Sequence, residues 1–235
     1  MVKSVKKLEC ITCQNLALSS FCTLKEEELK SLNKHKHSQN IKKNQIIFSE
    51  GGRATGLHCL HQGKIKLYKT LPDGTMQVLR IASDGDLIGY RGLLGDGHYI
   101  ATGIALEDCV VCFIPQEHIF ELIKTNVQFS MEIMANLAAD IRLAEEKSVS
   151  YAQKSTRTRL AETLLLFQKT YGTTSDGFIN IALTREDLGS IAGMVTETTV
   201  RVLKEWSDLG IIQLEKKFIK ILKPDKLYQI ADIED

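Results

Sequence analysis

Three of the chain's six cysteines fall within thirteen residues: Cys10, Cys13 and Cys22, in CITCQNLALSSFC. The other three, Cys59, Cys109 and Cys112, come later. Clustered thiols hold metal, exchange electrons through a disulfide, or cross-link a secreted chain. The leading MVKSVKKLEC is basic but has no apolar stretch before Cys10, so no secretory signal is expected. A reducing, cytoplasmic setting follows, in which metal binding or redox chemistry outranks structural cross-linking. No other reactive grouping stands out. There is no Ser/His/Asp arrangement, no glycine-rich phosphate loop and no HExxH, and GDGH (95–98) reads as a turn. The chain is expected not to be an enzyme, and no catalytic residue is assigned. No apolar run approaches the roughly 18 residues of a membrane span, so no membrane partner is expected.

A second set of residues has the spacing for reading a duplex. Residues 184–206 are TREDLGSIAGMVTETTVRVLKEW. Thr184 and Asp187 make a capping-box-like helix start, and Gly193 supplies a tight turn before a second helix from about Thr196 to Ser207. On that helix Val202, Leu203 and Trp206 turn inward, while Glu197, Val200, Arg201 and Lys204 point out. GIIQLEKKFIKIL then reads as two short strands about a Lys-Lys turn, hence a wing. A plain helical hairpin is the simpler alternative. As a recognition helix, this one places Glu197 to accept from cytosine N4 and Arg201 to bond guanine O6/N7, with Val200 outward beside Arg201. Thr184, Thr196, Thr198, Lys204, Lys216 and Lys217 are candidates for phosphate contacts, which position without specifying. Charge does not add to this reading. Net charge is +1, and residues 151–235 carry twelve Lys/Arg against twelve Asp/Glu.

These groups need a scaffold, and 235 residues at 43% hydrophobic content are enough for real cores. TLKEEELKSLNKH predicts a short amphipathic helix with Thr23 as N-cap. From Ile41 to about Pro115, short apolar segments alternate with EGG, HQGK, PDGT, SDGD and GDGH, which predicts an antiparallel sandwich or barrel. A helical stretch from about Gln116 through Tyr151 carries a seam at Val127, Ser130, Met134, Leu137, Ile141, Ala144, Ser148 and Tyr151. That spacing suits a parallel dimer helix, with packing on its own domain as the alternative. QKSTRTR reads as a hinge, 156–170 as another helix, and INIAL as a short strand. The fold class is α+β, with expected divisions of 1–22 cysteine-rich segment, 23–125 barrel, 126–152 dimerisation helix and 153–235 winged helix-turn-helix.

A β-barrel, a long helix and a C-terminal winged helix-turn-helix, in that order, resemble the CRP/FNR superfamily of bacterial transcription regulators. GDLIGYRGLLGDGHYIATGIALEDCVVCFIP (85–115) and TREDLGSIAGMVTETTVRVLKEWSDLGII (184–212) carry the resemblance. It implies a homodimer on a two-fold-symmetric promoter site, working with RNA polymerase; LPDGTMQ (71–77) lies where relatives touch that enzyme. The cyclic-AMP-binding branch has Gly-Glu and, further on, Arg-Ser in its pocket. The matching places here are Gly89-Tyr90 and Ile100-Ala101, so no cyclic AMP is expected; Arg91 remains a candidate for a different anion site.

The FNR branch carries an N-terminal cysteine cluster and one more cysteine in a strand before Ile-Pro, where this chain has Cys112. The resemblance thus implies a [4Fe–4S] cluster on Cys10, Cys13, Cys22 and Cys112. The eight residues between Cys13 and Cys22 exceed the branch's familiar spacing. Cys22, abutting a helix at Thr23, is expected near a helix N-terminus. Cys109 is set aside because strand residues three apart face opposite ways. Cys59 reads as a buried strand cysteine, and His58 and His61 as ordinary polar residues. Zinc and a thiol–disulfide switch stay open as alternatives, within a CRP-type regulator answering to another small ligand in the barrel. The dimer interface is expected at Met134, Leu137, Asp140, Ile141 and Ala144. There Asp140 is expected to repel its mate unless cluster binding offsets the repulsion.

Overall fold

The computed structural model describes residues 8–232, so the first seven residues of the expected cysteine-rich segment lie outside the described residues. The described residues divide into two compact units, one of the residues up to 70 with 79–142, the other of 71–78 with the residues from 143 on. The division thus falls inside the long helix, and the tip of one hairpin belongs with the second unit.

In the first unit, eight strands form two four-stranded sheets: β1 (His37–Ile41), β2 (Ile46–Phe48), β3 (Gly56–Gln62), β4 (Ile65–Thr70), β5 (Met76–Ala82), β6 (Leu87–Ile88), β7 (Thr102–Ala105) and β8 (Cys109–Pro115). Their orders are β1-β8-β3-β6 and β2-β7-β4-β5. This is the expected barrel-like architecture in jelly-roll form, with the two sheets left open rather than closed. Leu57, Leu60, Ile65, Ile88 and Ile114 fill its core. In the β3–β8 pair, Leu57 lies opposite Ile114 and Cys59 opposite Cys112. Strand alternation therefore puts 57, 59, 112 and 114 on one face of the sheet, and 58, 109, 111 and 113 on the other.

The helices of this unit start elsewhere than expected. α1 spans Glu26–His35 and a short α2 spans Tyr90–Leu94, and Thr23 instead closes a 3-10 turn, Ser20–Thr23. Cys22 sits in that turn and so is not at the start of α1. The expected helix from Gln116 is two, α3 (Gln116–Thr125) and α4 (Val127–Gln153), separated by extended Asn126. Asn126 Oδ1 accepts from Phe129 N at 2.9 Å, the bond of a helix cap. Its Nδ2 donates to both Glu28 oxygens at 3.1 and 2.9 Å. Glu28 Oε2 in turn accepts from Lys25 N at 2.7 Å, at the start of α1.

In the second unit, α5 (Thr156–Tyr171) follows the expected hinge and is capped by Ser155, whose side chain accepts from Thr158 N. Next come α6 (Arg185–Ala192), α7 (Thr196–Asp208), a hairpin of β9 (Ile212–Glu215) and β10 (Phe218–Ile221), and α8 (Pro224–Ala231). INIAL is not a strand; Ile179 makes a single bridge to Thr173. The helix α8 went unforeseen, although Pro224 at its first turn and inward Leu227 and Ala231 are ordinary helix signals.

Candidate thiol pocket and nucleic-acid interface

The N-terminal segment lies over the face of the β3–β8 pair that carries Cys59 and Cys112 and encloses a pocket of about 490 Å³, its open mouth included. Cys10, Cys13, Cys59, His61 and Cys112 line it, with Lys36 as the one lysine or arginine among the described residues. Cys112 Sγ is 3.4 Å from Ser38 Oγ of β1, and Cys13 Sγ is 3.4 Å from His61 Nδ1 of β3. Asn15 Nδ2 donates to His61 O at 2.5 Å, and Cys10 N to Asn33 Oδ1 at 3.2 Å, which hold the segment in place. Burial pushes the Cys10 thiol up from its ordinary value, and Lys36 opposes this. The Cys59 thiol is raised by burial and by its proximity to Cys112, Cys13 and Cys10.

Three of the four expected cluster ligands, Cys10, Cys13 and Cys112, thus meet in one pocket. Cys22 does not join them; it is exposed. Cys109 faces the other side of the sheet, as alternation predicts, and its Sγ donates to Glu107 O at 3.2 Å. Cys59 and His61 were passed over as ordinary residues. Cys59 follows from alternation with Leu57, whereas β3 shifts register between Leu60 and Gln62, so alternation alone does not place His61 in the pocket. His58 faces the opposite side, tilted among Phe48, Tyr99 and Phe113, and burial lowers it to about 4. Among the described residues, no three His, Cys, Asp or Glu side chains converge on a point that could hold one metal ion. The donor set is rich in thiols, which suits a thiolate-bound group spread over several corners better than a lone hard cation.

A second pocket, which holds the Gly89-Tyr90 and Ile100-Ala101 positions, is lined also by Arg80, Ile88 and Arg91, among others. Its polar groups are largely occupied. Tyr90 Oη donates to Asp140 Oδ2 at 2.5 Å, Arg91 Nε lies 3.8 Å from the same oxygen, and Arg80 Nη2 donates to Leu87 O at 2.9 Å. The Asp140 side chain is only 10% exposed. This corrects the picture of Asp140 as a bare charge awaiting its mate: its own chain supplies a donor and a cation. The other expected interface residues divide. Met134, Ile141 and Ala144 are exposed on α4, whereas Leu137 packs partly against the core. Of the wider seam, Ser130 also faces inward, its Oγ donating to Ile123 O at 2.7 Å.

The helix-turn-helix is built as its sequence predicts. Thr184 Oγ1 accepts from Asp187 N at 3.0 Å, and Asp187 Oδ2 accepts from Thr184 N at 3.2 Å. Gly193 takes φ +65°, and a Cβ there would lie 2.7 Å from the Tyr151 ring. Gly189 matters equally and was missed: its Cβ would lie 2.7 Å from Thr199 Oγ1, so only glycine lets α6 approach α7 this closely. Val202, Leu203 and Trp206 are buried, which leaves Thr196, Glu197, Val200, Arg201 and Lys204 exposed on α7. Thr198 is half-buried, and Lys216 and Lys217 are exposed at the hairpin turn, Lys216 at φ +51°. No ion pair joins Glu197 to Arg201 among the described residues, and Arg201 acts electrostatically on Glu205 of the same helix.

Arginines absent from the expected site hold this frame together. Arg159 donates from Nε to Ala192 O at 2.7 Å and from Nη2 to Gly193 O at 2.8 Å, clamping the turn. Arg157 makes a two-pronged bond to Glu205 of α7 at 2.7 and 2.5 Å. Arg185 Nη2 donates to Lys216 O at 3.1 Å, tying α6 to the wing.

Residues 38–126 match the cyclic nucleotide-binding domain family, and residues 158–230 match the Crp-like helix-turn-helix domain family. The chain is 28% identical over 229 residues to the fumarate and nitrate reduction regulatory protein of Escherichia coli K12, covering 94% of this chain and 90% of that one. It is 29% identical over 231 residues to the protein of the same name from Vibrio cholerae, covering 95% and 91%. The structure of FixK2 from Bradyrhizobium japonicum shares the fold, at a TM-score of 0.72 and 22% identity, over 85% of this chain and 99% of that one. Among the described residues no helix is long and apolar enough to cross a membrane. With both domain types, their order and near full-length relatives that are regulators rather than enzymes, the chain belongs to the CRP/FNR family of DNA-binding transcription regulators.

Proposed function

We propose that this regulator works in the cytoplasm as a homodimer and reports oxygen, or nitric oxide, through a [4Fe–4S] cluster in its thiol pocket. The carrying observation is the gathering of Cys10, Cys13 and Cys112 in one pocket, under a segment that is itself fastened to α4. Phe21 stacks on Phe129 with ring centroids 5.6 Å apart, and Ser20 Oγ accepts from Asn136 Nδ2 at 2.8 Å. When bound, such a group supplies a centre that oxidants attack. The chain's own residues do the rest. Cys10 and Cys13 tie the segment to Cys112 on β8, and Phe21 and Ser20 carry that ordering to α4. Met134 and Ile141, exposed on α4 at 52% and 61%, are the apolar groups a second copy would cover. Ordering the segment shifts the population toward the dimer, and the dimer presents two α7 helices to successive major grooves of a two-fold-symmetric site. There Glu197 and Arg201 read bases, Val200 meets a thymine methyl, and Thr184, Thr196, Thr198, Lys204, Lys216 and Lys217 meet phosphates. RNA polymerase is the further partner proposed, and cyclic AMP is not a ligand.

The test is anaerobic purification with iron, sulfide and zinc assays on one sample, followed by gel shifts on a promoter library before and after air. About four iron and four sulfide per chain, lost in air together with affinity for specific DNA, supports the reading. Stoichiometric zinc, or no metal with unchanged DNA affinity, overturns it and points to a small ligand in the second pocket.

A further inference from the structure

The thiol pocket already contains a fourth thiol. Cys59 sits directly opposite Cys112 across the β3–β8 pair, on the face that the N-terminal segment covers. Cys10, Cys13 and Cys112 line the same pocket. Four thiols therefore face one pocket, two from the segment and one from each of two paired strands.

Cys22 is held outside that space by its neighbours. Ser20 is hydrogen-bonded to Asn136, Phe21 is buried against Phe129, and Leu24 is buried as well. Turning Cys22 into the pocket means rotating the Ser20–Thr23 turn, which withdraws Phe21 from the core and breaks the Ser20–Asn136 bond. Those are the contacts that fasten the segment to α4. Cys59 needs no such movement, since its strand register already sets its direction.

We propose that Cys59, with Cys10, Cys13 and Cys112, completes the thiolate set of this pocket, and that Cys22 is not a ligand. The assignment rests on the iron–sulfur reading above and changes the ligand set that the family's spacing implies. It also gives His61 a place: its ring nitrogen beside Cys13 Sγ is a hydrogen-bonding neighbour of a ligand sulfur, the kind of contact that tunes such a centre.

The experiment compares full-length wild type with Cys22→Ala, Cys59→Ala and Cys112→Ala, each incubated anaerobically with ferrous iron and sulfide. Iron and sulfide per chain and visible absorption are measured, with a thermal melt of each metal-free protein to confirm folding. Cys22→Ala is expected to match wild type, while Cys59→Ala and Cys112→Ala lose most of their iron and sulfide. Retention by a folded Cys59→Ala, or loss by Cys22→Ala, overturns the assignment. Should Cys59→Ala fail to fold, maleimide labelling of loaded wild type decides the matter without it. Cys22 labelled as fast as in the metal-free protein, with Cys10 and Cys13 protected, supports the proposal; a protected Cys22 overturns it. Wild type that takes up no iron at all removes the underlying iron–sulfur reading instead.

Discussion

The outer face of α7 and the thiol pocket assemble functional groups by opposite routes. On α7 a single helix does the work. Buried Val202, Leu203 and Trp206 set its rotation, and Glu197, Val200, Arg201 and Lys204 follow as the outward row. In the pocket no single element carries more than two of the donors. Cys10 and Cys13 come from the N-terminal segment, Cys59 and His61 from β3, and Cys112 from β8. An interface on one helix survives most changes elsewhere. A pocket joined by strand register fails whenever one of its three elements slips. The outward face of α7 is therefore the sturdier assembly, and the thiol pocket the one more easily undone.

The most severe way to break the readout side is Trp206→Ala. The indole is 1% exposed, and its loss is expected to cost about 3–5 kcal/mol. A urea melt followed on the second unit should show this, while iron uptake by the thiol pocket stays at the wild-type level. Loss of both would mean that the two regions are not independent.

His58 tests the sheet that carries the pocket. Burial lowers it to about 4 from an ordinary 6.5, so between those values the unfolded chain binds a proton that the folded chain does not. Stability is therefore expected to rise with pH across this window and to be lost as pH falls from 6.5 toward 4, by roughly 3 kcal/mol. His58→Leu should flatten that acid slope in urea midpoints taken at several pH values. An unchanged slope would assign it to other groups.

Arg201→Ala sharpens the readout side. It should weaken binding to the specific site by about 1–3 kcal/mol and relax one base position, with little change on random DNA. Equal losses on both would make Arg201 a phosphate contact. Smallest is Tyr90→Phe, which strips Asp140 of its donor and leaves Arg91 as its charged neighbour. A destabilisation of about 1–2 kcal/mol is expected in a thermal melt. No effect would mean that the Asp140 carboxylate finds other partners.

Much of α6 and α7 was legible in the residues because each signal is short-ranged. The Thr184–Asp187 box, the turn glycine and the inward triad all act within a few positions of one another. The opposite facing of Cys109 and Cys112 was legible too, from alternation alone. The pairing of Cys59 with Cys112 was not, since it depends on which residues of two distant strands come to lie opposite. Asp140 beside a helical seam says nothing about Tyr90, fifty residues earlier. The break at Asn126 was hidden because helical segments flank it closely on both sides and no Pro or Gly marks it. For the Cys59–Cys112 pairing and for Asp140 the deciding partner lay far away in the chain.

The side chains of Glu28 and Asn126 form one continuous set of hydrogen bonds that caps both α1 and α4. Two helices that share their capping groups share their fraying. The first-turn amides of α1 and α4 should then exchange hydrogen for deuterium together, as one cooperative opening, and Glu28→Ala should accelerate both sets at once. The helix beneath the thiol segment and the helix with the exposed Met134 and Ile141 would thus loosen in step, even with every cysteine left in place.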